Sequence, residues 1–322
     1  MVIGRNEGQR LIRCFDALPS GTATVYVDSG STDRSVEEAR QRAIDVVELD
    51  LSVPFTAARA RNVGAKRLRA LHPTLRAVQF VDGDSSLQPG WLEVALAALD
   101  RDPSVAVVCG RLREFQPSAS IYNRLLDLEW DQPAGEVDAC GGIALMRMTA
   151  FQEEGGFEAR LVAGEEPELC HRLRKRGYRI LRIGAEMAVH DGAMIHFRQW
   201  WRRMIRNGYA YADLLAKQSE LVRRQVYAIL GWGVALPLSA VVGGALTHGW
   251  GLLLLAAYPA QWARISLKRL PRRDGLALAY GASCVLGRFA ETQGFVRYWL
   301  DQLRQRPTTI IEHKGPDAPA GS

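Results

Sequence analysis

VQFVDGDSSL, residues 78–87, is the stretch whose reading decides the fold. Val78, Gln79, Phe80 and Val81 read as a short strand, and they run straight into Asp82, Gly83 and Asp84. In an open α/β sheet, ligands bind beyond the carboxyl ends of the strands, so a strand that ends in two carboxylates marks a binding edge. Mg²⁺ or Mn²⁺ is typically held by one or two carboxylates, with water and substrate phosphates completing the shell. A glycine between the carboxylates lets backbone and phosphate approach closely. The same letters also spell an Asp-Gly turn in which Asp84 bonds its own backbone.

Outward from this stretch, strand-like and helix-like signals alternate. Strands are expected at Met1–Ile3, Thr24–Val27, Asp45–Leu49, Ala77–Val81 and Val105–Cys109. Helices are expected at Glu7–Leu18, Ser35–Arg42, Phe55–Leu71 and Trp91–Leu99. That alternation predicts an α/β domain with a mostly parallel sheet. Only Val2 and Ile3 precede the first loop, so the true start is expected upstream. Two further strand ends are polar. Arg5, Asn6 and Glu7 follow the first, and VYVDSGSTDRS, residues 25–35, carries Asp28 at the end of the second. Asp28 suits a nucleotide pocket, as an acceptor from base or ribose, or equally a turn that caps the next helix. It is not a GxGxxG fingerprint. In FTAARARNVGAK, residues 55–66, Arg59, Arg61 and Lys66 would bring positive charge to a phosphate or form a solvated helix face.

In chain order, RNE (5–7), VDSGSTDRS (27–35), ARNVGAK (60–66), VDGD (81–84) and CGGIALMRMTAFQEEGGFEARLVAGEEPELCHRLRKRGYRI (140–180) resemble the inverting glycosyltransferases of family 2, which have the GT-A fold. The resemblance covers about residues 1–210 and matches a membrane-anchored, bacterial-type member. It implies a nucleotide diphosphate sugar as donor, Mg²⁺ or Mn²⁺ as cofactor, and no nucleic acid as partner. Asn6, Glu7 and Asp28 would contact the nucleoside, Arg61 the diphosphate, and Asp82 the ribose and metal, with Asp84 the direct metal ligand. His190 is a further candidate for the metal or diphosphate. Gly141 and Gly142 would lie on the acceptor side. Glu166 falls where the family has an aspartate as catalytic base, one methylene longer, with Glu165 beside it as support. A carboxylate at a helix N-terminus is held ionised by the dipole, the state a proton acceptor needs. Pro167 fits the first turn of that helix and Gly177 its stop.

HFRQWWRRMIRNGYAYA, residues 196–212, resembles the family's QxxRW motif through Gln199, Arg202 and Arg203, with Arg203 replacing the final tryptophan. The same residues would serve an amphipathic helix lying on a membrane, its tryptophans at the interface.

From Gln225 to Ala263 there is no Asp, Glu, Lys or Arg. That run is about twice the roughly 20 residues that cross a bilayer. A transmembrane hairpin is expected, with limbs near 226–246 and 250–267 and a turn at the intervening glycines. Residues 211–224 read as a juxtamembrane linker, 225–268 as the hairpin, 275–300 as an interfacial or third membrane helix, and 303–322 as a disordered tail. Basic residues flank both outer ends, among them Arg223, Arg224, Arg264, Lys268, Arg272 and Arg273. By the positive-inside rule both ends face the cytoplasm, which makes this a multi-pass cytoplasmic (inner) membrane protein with its catalytic domain on the cytoplasmic side.

The net charge of +6 fits an anionic partner such as a nucleotide, a phospholipid surface or nucleic acid. Five scattered cysteines without a CxxC pair support neither a disulfide framework nor a zinc site. MVIGRNEGQR is not a signal peptide, because the apolar stretch is short and Glu7 follows at once. The expected activity is transfer of a sugar to a lipid-linked saccharide or polyprenyl phosphate, in the making of cell-surface polysaccharide or glycolipid. Two alternatives stand beside it: a sugar nucleotidyltransferase, and a membrane scaffold with a degenerate transferase domain.

Overall fold

The computed structural model describes residues 1–217, 220–270 and 275–306. The described residues divide into two compact units, one formed by Met1–Ser118 with Leu126–Ala193, the other by Ala119–Leu125 with the described residues between Met194 and Arg306.

The first unit follows the expected alternation. Its elements are β1 (Val2–Gly4), α1 (Gln9–Asp16), β2 (Val25–Asp28), α2 (Ser35–Gln41), β3 (Asp45–Glu48), α3 (Ala57–Leu71), β4 (Ala77–Asp82), β5 (Ser85–Leu87), α4 (Trp91–Arg101) and β6 (Val105–Glu114). Then come α5 (Ile121–Trp130), which begins in the other unit, β7 (Gly135–Glu136), β8 (Ala144–Arg147), α6 (Met148–Glu153), α7 (Glu165–Lys175) and β9 (Arg179–His190). The strand order is β3-β2-β1-β4-β8-β6-β9-β5, with β7 on β9.

The expectation of parallel pairing holds from β3 to β4. Beyond β4 the sheet is mixed, because β8 inserts antiparallel between β4 and β6 while β9 runs parallel to β6. This half of the sheet joins β5 and β6 to β7, β8 and β9, and the last three follow residue 109, beyond the strands expected from the sequence.

The first half is tightly closed. Gly64 of α3 lies against Met1 and Val27, and a Cβ there would meet Val27 Cγ2 at 2.9 Å. Thr56 caps α3, accepting from Arg59 N at 3.0 Å. Phe80, Phe151 and Phe157 form an aromatic triangle in the core, with centroids 5.3–5.4 Å apart. Gln79 is buried in β4, where its side-chain oxygen accepts from Trp91 Nε1 at 2.9 Å.

In the second unit α8 (Phe197–Ala216) is followed by α9 (Arg223–Leu230), a π-helical turn at Gly231–Ala235, α10 (Leu236–Leu246), a 3₁₀ stretch at Trp250–Ala256, α11 (Ala257–Arg269) and α12 (Ala277–Leu303). Gly208 of α8 and Gly294 of α12 let these two helices touch backbone to backbone, since a Cβ at either would lie within 2.0 Å of the other helix's carbonyl oxygen. Residues 211–216, read above as linker, are the last turns of α8, with Ala212, Asp213 and Leu214 buried.

Among the described residues one helix, Glu220–Leu246, is long and apolar enough to cross a membrane, and little of it is buried. The second limb expected at 250–267 is not one spanning helix. Pro259 has no N–H to donate to the turn before it, so Trp250–Ala256 tightens to 3₁₀ and the α-helix restarts at Ala257. The transmembrane hairpin and the multi-pass arrangement are therefore not shown. The apolar segment at 275–300 is the single helix α12, which carries an Arg288–Glu291 ion pair at 2.8 Å. Arg272, Arg273 and the tail from 307 onward lie outside the described residues.

Candidate active site

The loops after β1 and β2 are clasped together. Asn6 takes a positive φ of 55°. Its backbone N–H donates to Ser31 Oγ at 3.0 Å, and its Oδ1 accepts from Thr32 N at 2.7 Å. Asp28, expected to meet base or ribose, is almost fully buried and already accepts four hydrogen bonds, from Tyr26 Oη, Gly30 N, Ser31 N and Ser31 Oγ, at 2.5–2.9 Å. It therefore shapes the loop. Burial, then the Asp28 charge, push the Tyr26 phenol well above its ordinary pKa. Glu7, in the loop before α1, pairs with Arg10 of that helix at 2.9 Å.

Arg61 is the hinge of the site. It is buried, and its two terminal nitrogens divide between Asp82 Oδ1 at 2.7 Å and Glu165 Oε1 at 2.5 Å. Burial alone would lower its pKa, but the two carboxylates outweigh that and raise it. This one side chain of α3 thus joins the end of β4 to the start of α7. The other basic residues of 55–66 do not gather here. Arg59 donates to the carbonyls of Asp50 and Val53, and Lys66 is exposed. Asn62 clamps the turn at Phe157 through both its amide atoms.

α7 begins as read. Gly164 caps it with φ 84°, Glu165, Glu166 and Glu168 fill the positive end, and Arg172, Arg174 and Lys175 sit at the negative end. Gly177 stops it at φ 89°, and Leu169 and Leu173 are buried. The paired glutamates part company at once. Glu165 is neutralised by Arg61. Glu166 has no cation partner among the described residues; its Oε1 accepts from Cys140 N at 2.5 Å and from the Cys170 thiol at 3.1 Å.

The two thiols at Glu166 were missed in the sequence, although Cys170 stands four residues after Glu166, the spacing that puts side chains on one helix face. Burial pushes the Cys140 thiol well above its ordinary pKa. For Cys170 the hydrogen bond with Cys140 works downward, but burial and the Glu166 charge together raise it.

Asp84 and His190 are brought together by the pairing of β5 with β9, in which Ser85 faces His190. Asp84 Oδ2 lies 3.5 Å from His190 Nε2, and the ring's other nitrogen faces Glu114 Oε2 at 4.0 Å. Trp130 packs edge-on against the ring at 4.9 Å. The set fits a hard divalent cation: a carboxylate oxygen and an imidazole nitrogen face each other at the outer limit of a hydrogen bond, with a second carboxylate, Glu114, near the ring but beyond hydrogen-bond distance of it. His190 Nδ1 is buried without a hydrogen-bond partner. Glu114 was also missed, since only tertiary pairing of β6 with β9 sets it opposite His190.

Gly141 takes φ 85°, and Gly142 lies over the Arg61–Asp82 pair, where a Cβ would sit 2.8 Å from Arg61 Nη2. The QxxRW-like residues belong to the second unit. Gln199 Oε1 accepts from the backbone N–H groups of Ile195 and His196, so it caps α8. Arg202 and Arg203 are half-buried on the same helix. Trp200, expected at a membrane interface, is buried and stacks on Tyr122, and Trp201 donates to Gln293 at 3.0 Å.

Residues 1–155 match the model of "Glycosyl transferase family 2". The chain is 29% identical over 244 residues to the pre-mycofactocin glycosyltransferases of two strains of Mycobacterium tuberculosis, CDC 1551 / Oshkosh and ATCC 25618 / H37Rv. The match covers 71% of this chain and 50% of theirs, so the chain spans about half the length of those curated relatives. Among solved structures, it resembles a mannosyltransferase of Pyrobaculum calidifontis in complex with GDP-Man and Mn²⁺, with TM-score 0.63, 17% identity, and coverage of 94% of this chain and 87% of that one. The likeness shows the GT-A fold. The parallel half of the sheet, the acidic loop after β4 and the family match agree that residues 1–155 are similar to glycosyltransferase family 2.

Proposed function

We infer that this protein is an inverting glycosyltransferase that moves a sugar from a nucleotide diphosphate sugar to an acceptor hydroxyl. The observation that carries this reading is the fork of Arg61, which holds the acidic loop of β4 and the glutamate pair of α7 on one site. Donor side and acceptor side then lie at the same sheet edge, as a single displacement requires.

Glu166 is the base. Its neighbour Glu165 has its charge offset by Arg61, whereas Glu166 keeps an uncompensated carboxylate. Oε1 is held by two donors, which leaves Oε2 to accept the proton of the acceptor hydroxyl. Asp84 and His190 would hold Mg²⁺ or Mn²⁺, which supplies positive charge to the departing diphosphate. Asp82, fixed by Arg61, sets the edge of the donor pocket, and Asn6 and Asp28 hold the nucleoside loop in shape. The mannosyltransferase of Pyrobaculum calidifontis, whose structure holds GDP-Man, favours a nucleotide sugar donor here.

The acceptor is lipid-linked. The helix Glu220–Leu246 and the segment after it expose Leu238, Val241, Leu246, Trp250 and Leu253, an apolar surface suited to the hydrocarbon of a membrane. The protein works at the cytoplasmic face of that membrane. Purified protein is to be offered a panel of nucleotide sugars with Mn²⁺ and polyprenyl phosphate or glycolipid acceptors, with release of nucleoside diphosphate measured. Turnover with at least one donor is expected, and flotation with vesicles should require residues 220–246. No turnover and no donor binding would overturn the reading, and release of pyrophosphate would replace it with nucleotidyl transfer.

A further inference from the structure

The geometry points to a second metal site in this chain, a thiophilic one, formed by Cys140, Cys170 and Glu166. Their ligand atoms all lie within 4.8 Å of one another and all three residues are buried. The Cys140 and Cys170 sulfurs are 3.7 Å apart, and the Cys170 sulfur is 3.1 Å from Glu166 Oε1. A tetrahedral zinc with Zn–S of about 2.3 Å and Zn–O of about 2.0 Å holds its two sulfurs about 3.8 Å apart, and sulfur and oxygen about 3.5 Å apart. The sulfurs therefore already stand at the edge length of the tetrahedron, and the Glu166 oxygen, within 4.8 Å of both, must settle at a similar distance from each.

Donor chemistry separates this site from the one at Asp84 and His190. Two thiolates and a carboxylate select zinc-type cations, while a carboxylate with imidazole and water suits Mn²⁺ or Mg²⁺. The sequence hides the trio, because Cys140 and Cys170 are thirty residues apart and form no metal-binding spacing. Folding joins them by placing the loop before β8 against the first turns of α7. Binding balances as a proton exchange: one Zn²⁺ enters, two thiol protons leave, and Glu166 joins as a carboxylate. No oxidant is involved.

The consequence is inhibition. A cation on Glu166 Oε1 draws charge from the carboxylate whose Oε2 accepts the acceptor's proton, so zinc-type cations stop turnover at concentrations where Mn²⁺ supports it. That inhibition rests on Glu166 being the base; the metal site itself does not.

Co²⁺ titration of the full-length protein separates the two. Tetrahedral thiolate ligation gives a thiolate-to-cobalt charge-transfer band and intense visible bands, whereas cobalt at a carboxylate–imidazole site gives only weak ones. The wild-type protein should show the intense bands at one Co²⁺ per chain. Zn²⁺ should abolish them and release two protons per ion in weakly buffered solution. Cys140→Ala and Cys170→Ala should each weaken this binding by more than about tenfold, and Cys14→Ala should leave it intact. Weak bands alone in the wild-type protein would overturn the site, as would intense bands that survive Cys170→Ala. Should a variant fail to fold, the wild-type spectrum and proton count still decide. Zinc bound at the trio without loss of turnover would keep the site and remove Glu166 as base.

Discussion

Arg61 and Glu165 meet at 2.5 Å in a buried ion pair, with the other arm of the guanidinium on Asp82. This pair is why two adjacent glutamates differ in kind. One is charge-compensated and structural, while the other is held by two hydrogen-bond donors that leave its charge in place.

Separate replacements should therefore act unequally. Glu166→Gln should lower kcat by about 10²–10⁴, the usual contribution of a general base, with little change in donor KM. Glu165→Gln should cost activity far less and stability more. Steady-state kinetics with thermal unfolding reads both. Equal mild losses of kcat would remove Glu166 from the role.

Arg61→Met leaves Asp82 and Glu165 without their shared counter-charge. Breaking one partner of a buried pair costs about 3–5 kcal/mol, and urea unfolding should show a loss of that order. Arg61→Lys should recover only part of it, because an ammonium cannot fork to two carboxylates as a guanidinium does.

Mn²⁺ binding, followed by calorimetry or the loss of the free-ion spin-resonance signal, should fail in Asp84→Ala and weaken in His190→Ala. Glu114→Gln should weaken it less than Asp84→Ala does, through loss of a nearby negative charge 4.0 Å from the His190 ring rather than of a ligand. Unchanged Mn²⁺ affinity in Asp84→Ala would place the metal elsewhere.

Gly208→Ala tests the pairing of α8 with α12. The added methyl would lie 1.9 Å from the Glu291 carbonyl oxygen, so the helices must separate. Overpacking of this kind costs about 1–3 kcal/mol. A melting temperature equal to the wild-type value would show that these helices do not pack as described.

Alkaline pH should unfold the protein through its buried thiols. Burial raises Cys14 and Cys109 to about 12, from an ordinary 9.0. The unfolded thiols ionise near 9 and the folded ones only near 12, so the unfolded state releases protons first. Their contribution to stability is complete below pH 9 and is lost progressively as pH rises toward 12. Melting temperatures at stepped pH should fall across that window, and Cys14→Ala should flatten the fall. A flat profile in the wild-type protein would show the thiols to be exposed.

The sequence by itself determined the elements of the first half, because a strand that ends in Asp82-Gly83-Asp84 or in Asp28 writes its residues contiguously. It also determined α7, whose acidic first turn, Pro167 and Gly177 are local signals of start and stop. Local patterning likewise foretold the apolar run from Gln225, and Pro259 within it lies in the first turn of α11, just after the 3₁₀ stretch.

Tertiary structure alone decided which partner each site residue has. Arg61 reaches Glu165 across 104 residues and Cys140 reaches Glu166 across 26. His190 meets Asp84 only through the register of two antiparallel strands. It also decided that Asp28 bonds its own loop and that Gln199 caps a helix. The reason is physical: propensity and capping act within a few residues, whereas ion pairs, ligand sets and buried hydrogen bonds depend on distances that exist only once the sheet has closed.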